Sequence, residues 1–385
     1  MMAKRISNRA ALFAVATAFC VGLLLSLAVR PSAVRHEGAG SADDQGGIRW
    51  RMPSAFSRNL PGLGDNAAEV AQAIGRVTGG QLQVDFFEPG ELVPAFSIVD
   101  AVREAKVPAG YTWLGYDQGK LPSSTLFGSV PFGMVPWEYL AWWLEGGGEQ
   151  LALEVYKPLG VRPILCGLIG PETAGWFRNP IETPEDLNGL KIRFAGLGGE
   201  VIQRVGASVT MLPGGEIFQS LERGAIDATE FSLPNVDERL GFDRVARYNY
   251  FPGWHQPFTA FHLVIGDQAW HNLNDALRAA VEETCTAGIA RNLGRAEAIQ
   301  GPVLESLEQK GAETRLLPEP VLAALRAESA ELLNERAAKD PTFARVLQSQ
   351  RRFSESYARW KRLAYPRDIE EYTADPVVIE GVREP

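Results

Sequence analysis

The chain has little cysteine, and what it has is poorly placed for chemistry: Cys20, Cys166 and Cys285 show none of the close spacing of a zinc or redox motif. Only four histidines occur in 385 residues. His255 and His262 are strand-like neighbours with no third ligand at zinc spacing, and His271 follows the last expected strand in a solvated loop. The sequence also lacks a nucleophile elbow, a metal-binding His pair and a Cys with a matched His. A secreted hydrolase or lyase would therefore have only the carboxylates Glu172 and Glu230, with His255, as acid and base. The Gly-rich segments "GLGGE" and "PGGE" could bind an anion at a helix start, but neither is a dinucleotide fingerprint, and tight turns explain them better. Clustered basic charge is missing too. With 38 Lys and Arg against 47 Asp and Glu, and a net charge of -9, nucleic acid is excluded as a partner. That acidity repels anions at long range, so an anionic ligand would have to be held by local donors such as Arg193. No internal repeat or low-complexity tract is present.

What the chain does have is apolar residues, 45% of the total, enough to bury a large core over a length that suits two domains. The first 33 residues read as a targeting segment: Lys4, Arg5 and Arg9 precede an apolar run over 10–29 broken only by Thr17 and Ser26. This run directs the chain across a membrane, either as a cleaved signal peptide or as an uncleaved anchor, since a bilayer needs about 20 residues. Residues 34–47 are polar and Gly-rich and read as a tether.

Beyond residue 48 the pattern alternates. "NAAEVAQAIGRVTGG" predicts an amphipathic helix capped by Asn66, "QLQVDFF" a strand, 94–106 a helix, "AGYTWLGY" a buried strand and 137–156 a long helix interrupted at 146–148. Such alternation implies an α/β sandwich around a mainly parallel sheet. "VRPILCGLIG" should cross into a second lobe and "FTAFHLVIGDQAW" should return from it. Thr183 and Pro184 mark a helix start between them. The expected divisions are 48–165 and 260–325 for a first lobe, 166–259 for a second, and 326–385 for C-terminal helices and tail. If the leader is removed, Cys166 and Cys285 are either a disulfide or two buried thiols.

Within the second lobe three strand ends carry residues suited to gripping a small anion. "KIRFAG" places Arg193 beside Gly-rich backbone, "GAIDATEFSLP" ends in Glu230 and Phe231, and "YNYFPGWHQP" brings Trp254, His255 and Gln256 between Pro and Gly. A guanidinium fork meets a carboxylate through two parallel hydrogen bonds, a geometry lysine cannot copy.

The stretch "EDLNGLKIRFAGLGGEVIQRVGASVTMLPGGEIFQSLERGAIDATEFSLPNVDERLGF" resembles the DctP-type solute receptors of TRAP transporters. "ARYNYFPGWHQP", "PGELVPAF", "PFGMVPWEYLAWWLEGGGEQL" and "AGWFRNPI" are similar to the branch that binds 2-oxo and 2-hydroxy monocarboxylates, and the likeness runs from about residue 49 to 352. The resemblance implies a periplasmic α/β receptor of two lobes, a ligand cleft between them and C-terminal helices across both. It implies a small organic acid as ligand and membrane permease subunits as partners. A homodimer would follow if the segment 353–385 exchanges between protomers, as such helices can in this branch.

The family's carboxylate-binding arginine matches Arg193, and its cation-holding acid matches Glu230. Gln256 matches the group that completes the cation shell. Phe231 stands where the family usually has Trp, keeping a backbone carbonyl but losing an indole hydrogen bond. Tyr111 and Trp113 match an aromatic strand end at the cleft edge, and Trp176 and Trp254 are either pocket wall or core. The main departure is "CGLIGPETAGWF", where relatives tend to read Gly-Asn-Thr-Gly-x-Gln, so Leu168 replaces an amide and Glu172 a Gln. A second carboxylate opposite Glu230 either demands a harder divalent ion or raises one pKa, so a bridging cation is expected to be calcium rather than sodium. The same fold could equally serve a ligand sensor docked on a signalling partner.

Overall fold

The computed structural model describes residues 47–364. The expected leader, most of the tether and the segment beyond residue 364 lie outside the described residues. Among those described, no helix is long and apolar enough to cross a membrane.

The first half begins with β1 (Ile48–Pro53), α1 (Gly64–Val77) and β2 (Leu82–Phe87), with β1 and β2 paired in parallel. α2 (Ile98–Arg103), β3 (Ala109–Trp113), α3 (Pro136–Glu145) and α4 (Gly148–Tyr156) follow. β4 (Val161–Ile169) then runs out of this half. The second half holds β5 (Gly175–Phe177), β6 (Lys191–Arg193), α5 (Gly196–Arg204), β7 (Ser208–Thr210), α6 (Gly214–Glu222), β8 (Ala228–Thr229), α7 (Pro234–Leu240) and β9 (Tyr248–Phe251). The return strand β10 (Thr259–Gly266) inserts between β3 and β4, antiparallel to both. The described residues finish with α8 (Asp267–His271), α9 (Asp275–Ala298), α10 (Gln300–Gln309), β11 (Glu313–Leu316), α11 (Glu319–Lys339) and α12 (Pro341–Ala364).

Three expectations are corrected. The sheets are mixed rather than mainly parallel: in the six-stranded sheet, ordered β11-β9-β5-β8-β6-β7, β5 runs antiparallel to both its neighbours. Residues 313–316, assigned by sequence to the first lobe, pair in parallel with β9 and so complete the second half's sheet. Asn66 does not cap α1, which starts at Gly64; its amide instead donates to Tyr111 Oη at 2.7 Å and to the Cys166 carbonyl at 2.9 Å. A buried amide that satisfies groups on two other strands contributes more than an exposed cap would.

The halves are joined where β4 gives way to β5 and β9 to β10. α9 packs along β4 and α1, and the Cys166–Cys285 disulfide ties β4 to α9 across 119 residues of sequence. Its formation settles the choice between disulfide and free thiols. The C-terminal helices bridge the halves, α11 lying on α5 while α12 lies on α4 and the turn over Pro122–Phe127. The amphipathic α12 buries Phe343, Val346 and Leu347 against this seam.

Candidate functional site

Both crossings between the halves deliver polar side chains to one buried point. Glu172 lies between β4 and β5; His255, Gln256 and Thr259 lie at the return into β10. Arg193 ends β6 and Glu230 follows β8, its neighbour in the sheet, so the Glu230 N–H donates to the Arg193 carbonyl at 3.0 Å. Backbone bonds fix the crossings to each other, as the Glu172 N–H donates to the Gln256 carbonyl at 3.1 Å. The approach is close enough that a Cβ on Gly253 would stand 2.1 Å from the Glu172 carbonyl oxygen, so that position requires glycine.

Arg193, Glu172, Glu230 and His255 are each only 1–2% exposed. Arg193 donates from Nη1 to the Glu230 carbonyl at 2.5 Å and to Glu230 Oε2 at 2.9 Å, and from Nε to the Leu212 carbonyl at 3.1 Å. Three of its five N–H donors are thus engaged inside the protein, and Nη2 carries the other two. Phe231 lies under the guanidinium, 5.1 Å from ring centre to Cζ. Glu230 Oε2 also accepts from the Ala195 N–H at 3.2 Å. On the other side, Thr259 Oγ1 donates to Glu172 Oε1 at 2.7 Å while accepting from Gln256 Nε2 at 2.7 Å. Glu172 Oε2 has no hydrogen-bond partner.

His255 Nε2 sits between the carboxylates, 3.2 Å from Glu230 Oε1 and 3.6 Å from Glu172 Oε2. Burial disfavours its imidazolium, but the two carboxylates outweigh that and push the imidazole up to about 9. Burial pushes the Glu172 carboxyl up to about 7, against the attraction of His255 and with the added repulsion of Glu230. Burial acts on Glu230 in the same direction, yet the Arg193 guanidinium and His255 hold it below the ordinary carboxylate range. The pair is therefore asymmetric: Glu230 is the fixed anion and Glu172 the carboxylate whose charge needs a cation beside it.

These groups line a cavity of ≈ 20 Å³, room for about one water-sized centre, with Phe56, Trp113, Tyr116 and Phe261 as aromatic walls. Trp113 comes from the first half and packs against Gly196 of the second, where a Cβ would fall 2.6 Å from its ring. Its indole N–H is buried without a hydrogen-bond partner.

Of the residues expected from sequence, Arg193, Glu172, Glu230, Phe231, Gln256 and Trp113 converge on this cavity. Tyr111, Trp176 and Trp254 do not line it. Tyr111 points into the core, accepting from Asn66 and stacking on Phe261. Trp176 donates Nε1 to Asp237 Oδ2 at 2.9 Å, and Trp254 stacks on Phe132 behind His255. Leu168, read as a replacement at the ligand, is core on β4 facing Ala260. Sequence reasoning missed Tyr116, Thr259 and Phe261, and discounted His255. Strand alternation carried the signal for Phe261, which has the same parity as Thr259 along β10. Tyr116 lies in the short helical turn Leu114–Asp117 and carried none.

A second, larger cavity of ≈ 380 Å³ lies away from these carboxylates, between the segment 130–134 and helices α11 and α12.

Two α/β lobes joined by crossing strands, with an arginine and two acids buried at the crossing, define a receptor that encloses a small charged solute. The chain belongs to the DctP family, bacterial extracellular solute-binding protein family 7, whose model matches residues 60–340. It is 34% identical over 318 residues to the monocarboxylate 2-oxoacid-binding periplasmic protein of a Nostoc species, covering 82% of this chain and 86% of that one. A TRAP transporter solute-binding protein of Bordetella bronchiseptica, described with copurified calcium and picolinate at one site of a mixed-occupancy dimer, superposes with a TM-score of 0.83 at 33% identity, covering 85% of this chain and 97% of that one. One from Colwellia psychrerythraea, with bound calcium and pyruvate, gives 0.80 at 32% identity, covering 85% and 98%. A third, from Pseudoalteromonas atlantica, holds sodium and pyruvate and gives 0.81 at 31% identity, covering 86% and 100%. The chain is a TRAP-type solute receptor.

Proposed function

We propose that this receptor closes over a small 2-oxo or 2-hydroxy monocarboxylate together with a cation, in the periplasm, and presents it to membrane permease subunits. The observation that carries the reading is the buried convergence of Arg193 with Glu172 and Glu230 at the two interlobe crossings. A guanidinium held by Glu230 and Leu212, with the Tyr116 hydroxyl beside it, can offer its remaining edge to a carboxylate. Glu172 Oε2, orphaned and buried, is an acceptor that a cation would satisfy.

The donor set suits a hard ion. Two carboxylates, the Gln256 amide and the Phe231 carbonyl are oxygen donors of the kind calcium and sodium take. Two formal negative charges favour the divalent ion, and for that reason calcium is assigned over sodium. A bound cation would bridge the solute's oxygens to Glu172 and Glu230, while Arg193 takes its carboxylate and the aromatic walls exclude any long side chain. Closure follows from contacts made by both lobes, because only differential affinity for the closed state shifts that equilibrium. The site binds and releases without turnover, so the protein is not an enzyme. The likeness to relatives described with pyruvate supports this choice of solute class.

Titration calorimetry of the purified receptor with pyruvate, lactate and longer 2-oxo acids, each with calcium, sodium or chelator, tests the reading. One acid per chain, bound tightly only with calcium, is the expected result. Consumption of the acid, or equal binding under chelation, would refute it.

A further inference from the structure

The function proposed above needs oxygen ligands alone, yet a nitrogen stands at the same point. Glu172, Glu230 and His255 each present a ligand atom, and the three atoms lie within 4.8 Å of one another. We propose that His255 is a nitrogen ligand of this centre, so that the Glu172, Glu230 and His255 triad accepts first-row divalent ions such as Mn²⁺, Co²⁺ or Zn²⁺ in competition with calcium. This rests on the reading of the site as a cation centre and extends it.

The spacing fits such an ion. Metal–ligand bonds of about 2.1 Å place adjacent donors roughly 3.0–3.4 Å apart in octahedral or tetrahedral geometry. The observed separation from Nε2 to Glu230 Oε1, 3.2 Å, lies in that range; Glu172 Oε2 at 3.6 Å lies just beyond it, and all three atoms lie within 4.8 Å, so an ion would draw Glu172 inward to close the set. Imidazole suits zinc and other transition ions, whereas calcium takes oxygen; a transition ion entering here displaces the Nε2 proton, which leaves to solvent, and takes over the charge that the carboxylates otherwise share with the imidazolium.

The donors are also held in place. The far oxygen of each carboxylate is pinned, Glu230 Oε2 by Arg193 and Ala195 and Glu172 Oε1 by Thr259, so the near oxygens face the histidine. The imidazole is fixed by packing: the Phe194 ring meets it edge-on at 4.7 Å and Trp254 at 5.5 Å. Gly198 is what allows this, since a Cβ there would come within 2.6 Å of His255 Cβ. Nδ1 has no hydrogen-bond partner, so ring orientation owes nothing to the second bond that usually anchors a metal histidine. The sequence grouped these three only as an acid–base set, and a metal role went unassigned because the acids lie on segments far from the histidine.

The test uses the full receptor purified from the periplasm, stripped with chelator and loaded with Mn²⁺ or Co²⁺. Pulsed EPR of the Mn²⁺ form should show one imidazole-nitrogen coupling that changes on ¹⁵N-histidine labelling. His255→Asn should remove that coupling and lower the ratio of Co²⁺ to Ca²⁺ affinity by roughly 30-fold, within the span for disturbed metal shells. Absence of a nitrogen coupling in the wild type, or its survival in the variant, overturns the proposal. If the variant does not fold, the labelled wild type at one ion per chain still decides. Should pyruvate and calcium bind normally without nitrogen coupling, only this inference falls; should neither bind, the reading beneath it falls as well.

Discussion

Replacing Arg193 by lysine keeps the charge and removes the geometry, which makes it the sharpest perturbation of the solute grip. In the structure one guanidinium donates to the Glu230 carbonyl, the Glu230 carboxylate and the Leu212 carbonyl and lies beside the Tyr116 hydroxyl, and the proposed solute grip would use its remaining edge. A single ammonium can keep the Glu230 pairing but cannot reach Leu212 and a solute carboxylate at once. The solute therefore loses at least one charge-assisted hydrogen bond, ~1.5–3 kcal/mol, which corresponds to a rise in Kd of roughly 10- to 150-fold. The fold loses one charge-assisted bond at Leu212, about 1.5–3 kcal/mol, or several degrees in Tm. Calorimetry for the affinity and a thermal melt for the fold separate these effects. A Kd within about threefold of wild type, with the variant folded, would mean that Arg193 serves only to neutralise Glu230. Arg193→Ala is a poorer probe, because an unpaired buried Glu230 costs about 3–5 kcal/mol and confounds binding with folding.

Glu172→Gln should abolish the preference for calcium over sodium, lowering calcium affinity by at least roughly tenfold, about 1.4 kcal/mol, as read by calorimetry; unchanged calcium binding would remove Glu172 from the cation shell. Trp176→Phe should cost about 1–3 kcal/mol of stability in denaturant melts by stripping Asp237 of its indole donor, and leave solute affinity within about twofold, consistent with a core position. Asp117 is pushed up to about 7 by burial and by Asp100, against Lys120 and Arg103. Because this lies above its ordinary 3.8, the stability linked to it is complete below that value and is lost as pH rises through 7. Asp117→Asn should flatten the fall in stability between roughly pH 4 and 7, by up to about 4 kcal/mol, in melts across that range. Reducing the Cys166–Cys285 bond should destabilise the first half by about 2–5 kcal/mol, seen as a lower Tm in thiol reductant.

How much was legible in the sequence depends on the range of each interaction. Arg193 and Glu230 could be placed because they end adjacent strands of short, strongly patterned segments, and the family resemblance named their roles. Glu172 stood out as a departure from that pattern, and it does face Glu230. Tyr111 was misplaced, and Trp176 and Trp254 were left between wall and core, for a common reason: alternation tells which residues share a face of a strand but not which face meets the cleft. Asn66 had the local signature of a cap, but long-range partners on β3 and β4 claimed its amide. Likewise β11 reads as a linker between helices, and only pairing with β9 makes it a strand. His255 was grouped with Glu172 and Glu230 only as acid and base, and was discounted as a metal ligand because a zinc site was sought from histidines close in sequence.

The measurement closest to the central claim is a thermal-shift titration of the purified receptor with pyruvate, in parallel with calcium, sodium and chelator, after native mass spectrometry of any copurified solute. One acid per chain and stabilisation that requires calcium would agree with a solute held by Arg193 and bridged through a cation to Glu172 and Glu230. Folded, solute-free protein that shifts with no monocarboxylate under any ion would contradict it, and would mean that Glu172 belongs to a site for another class of ligand.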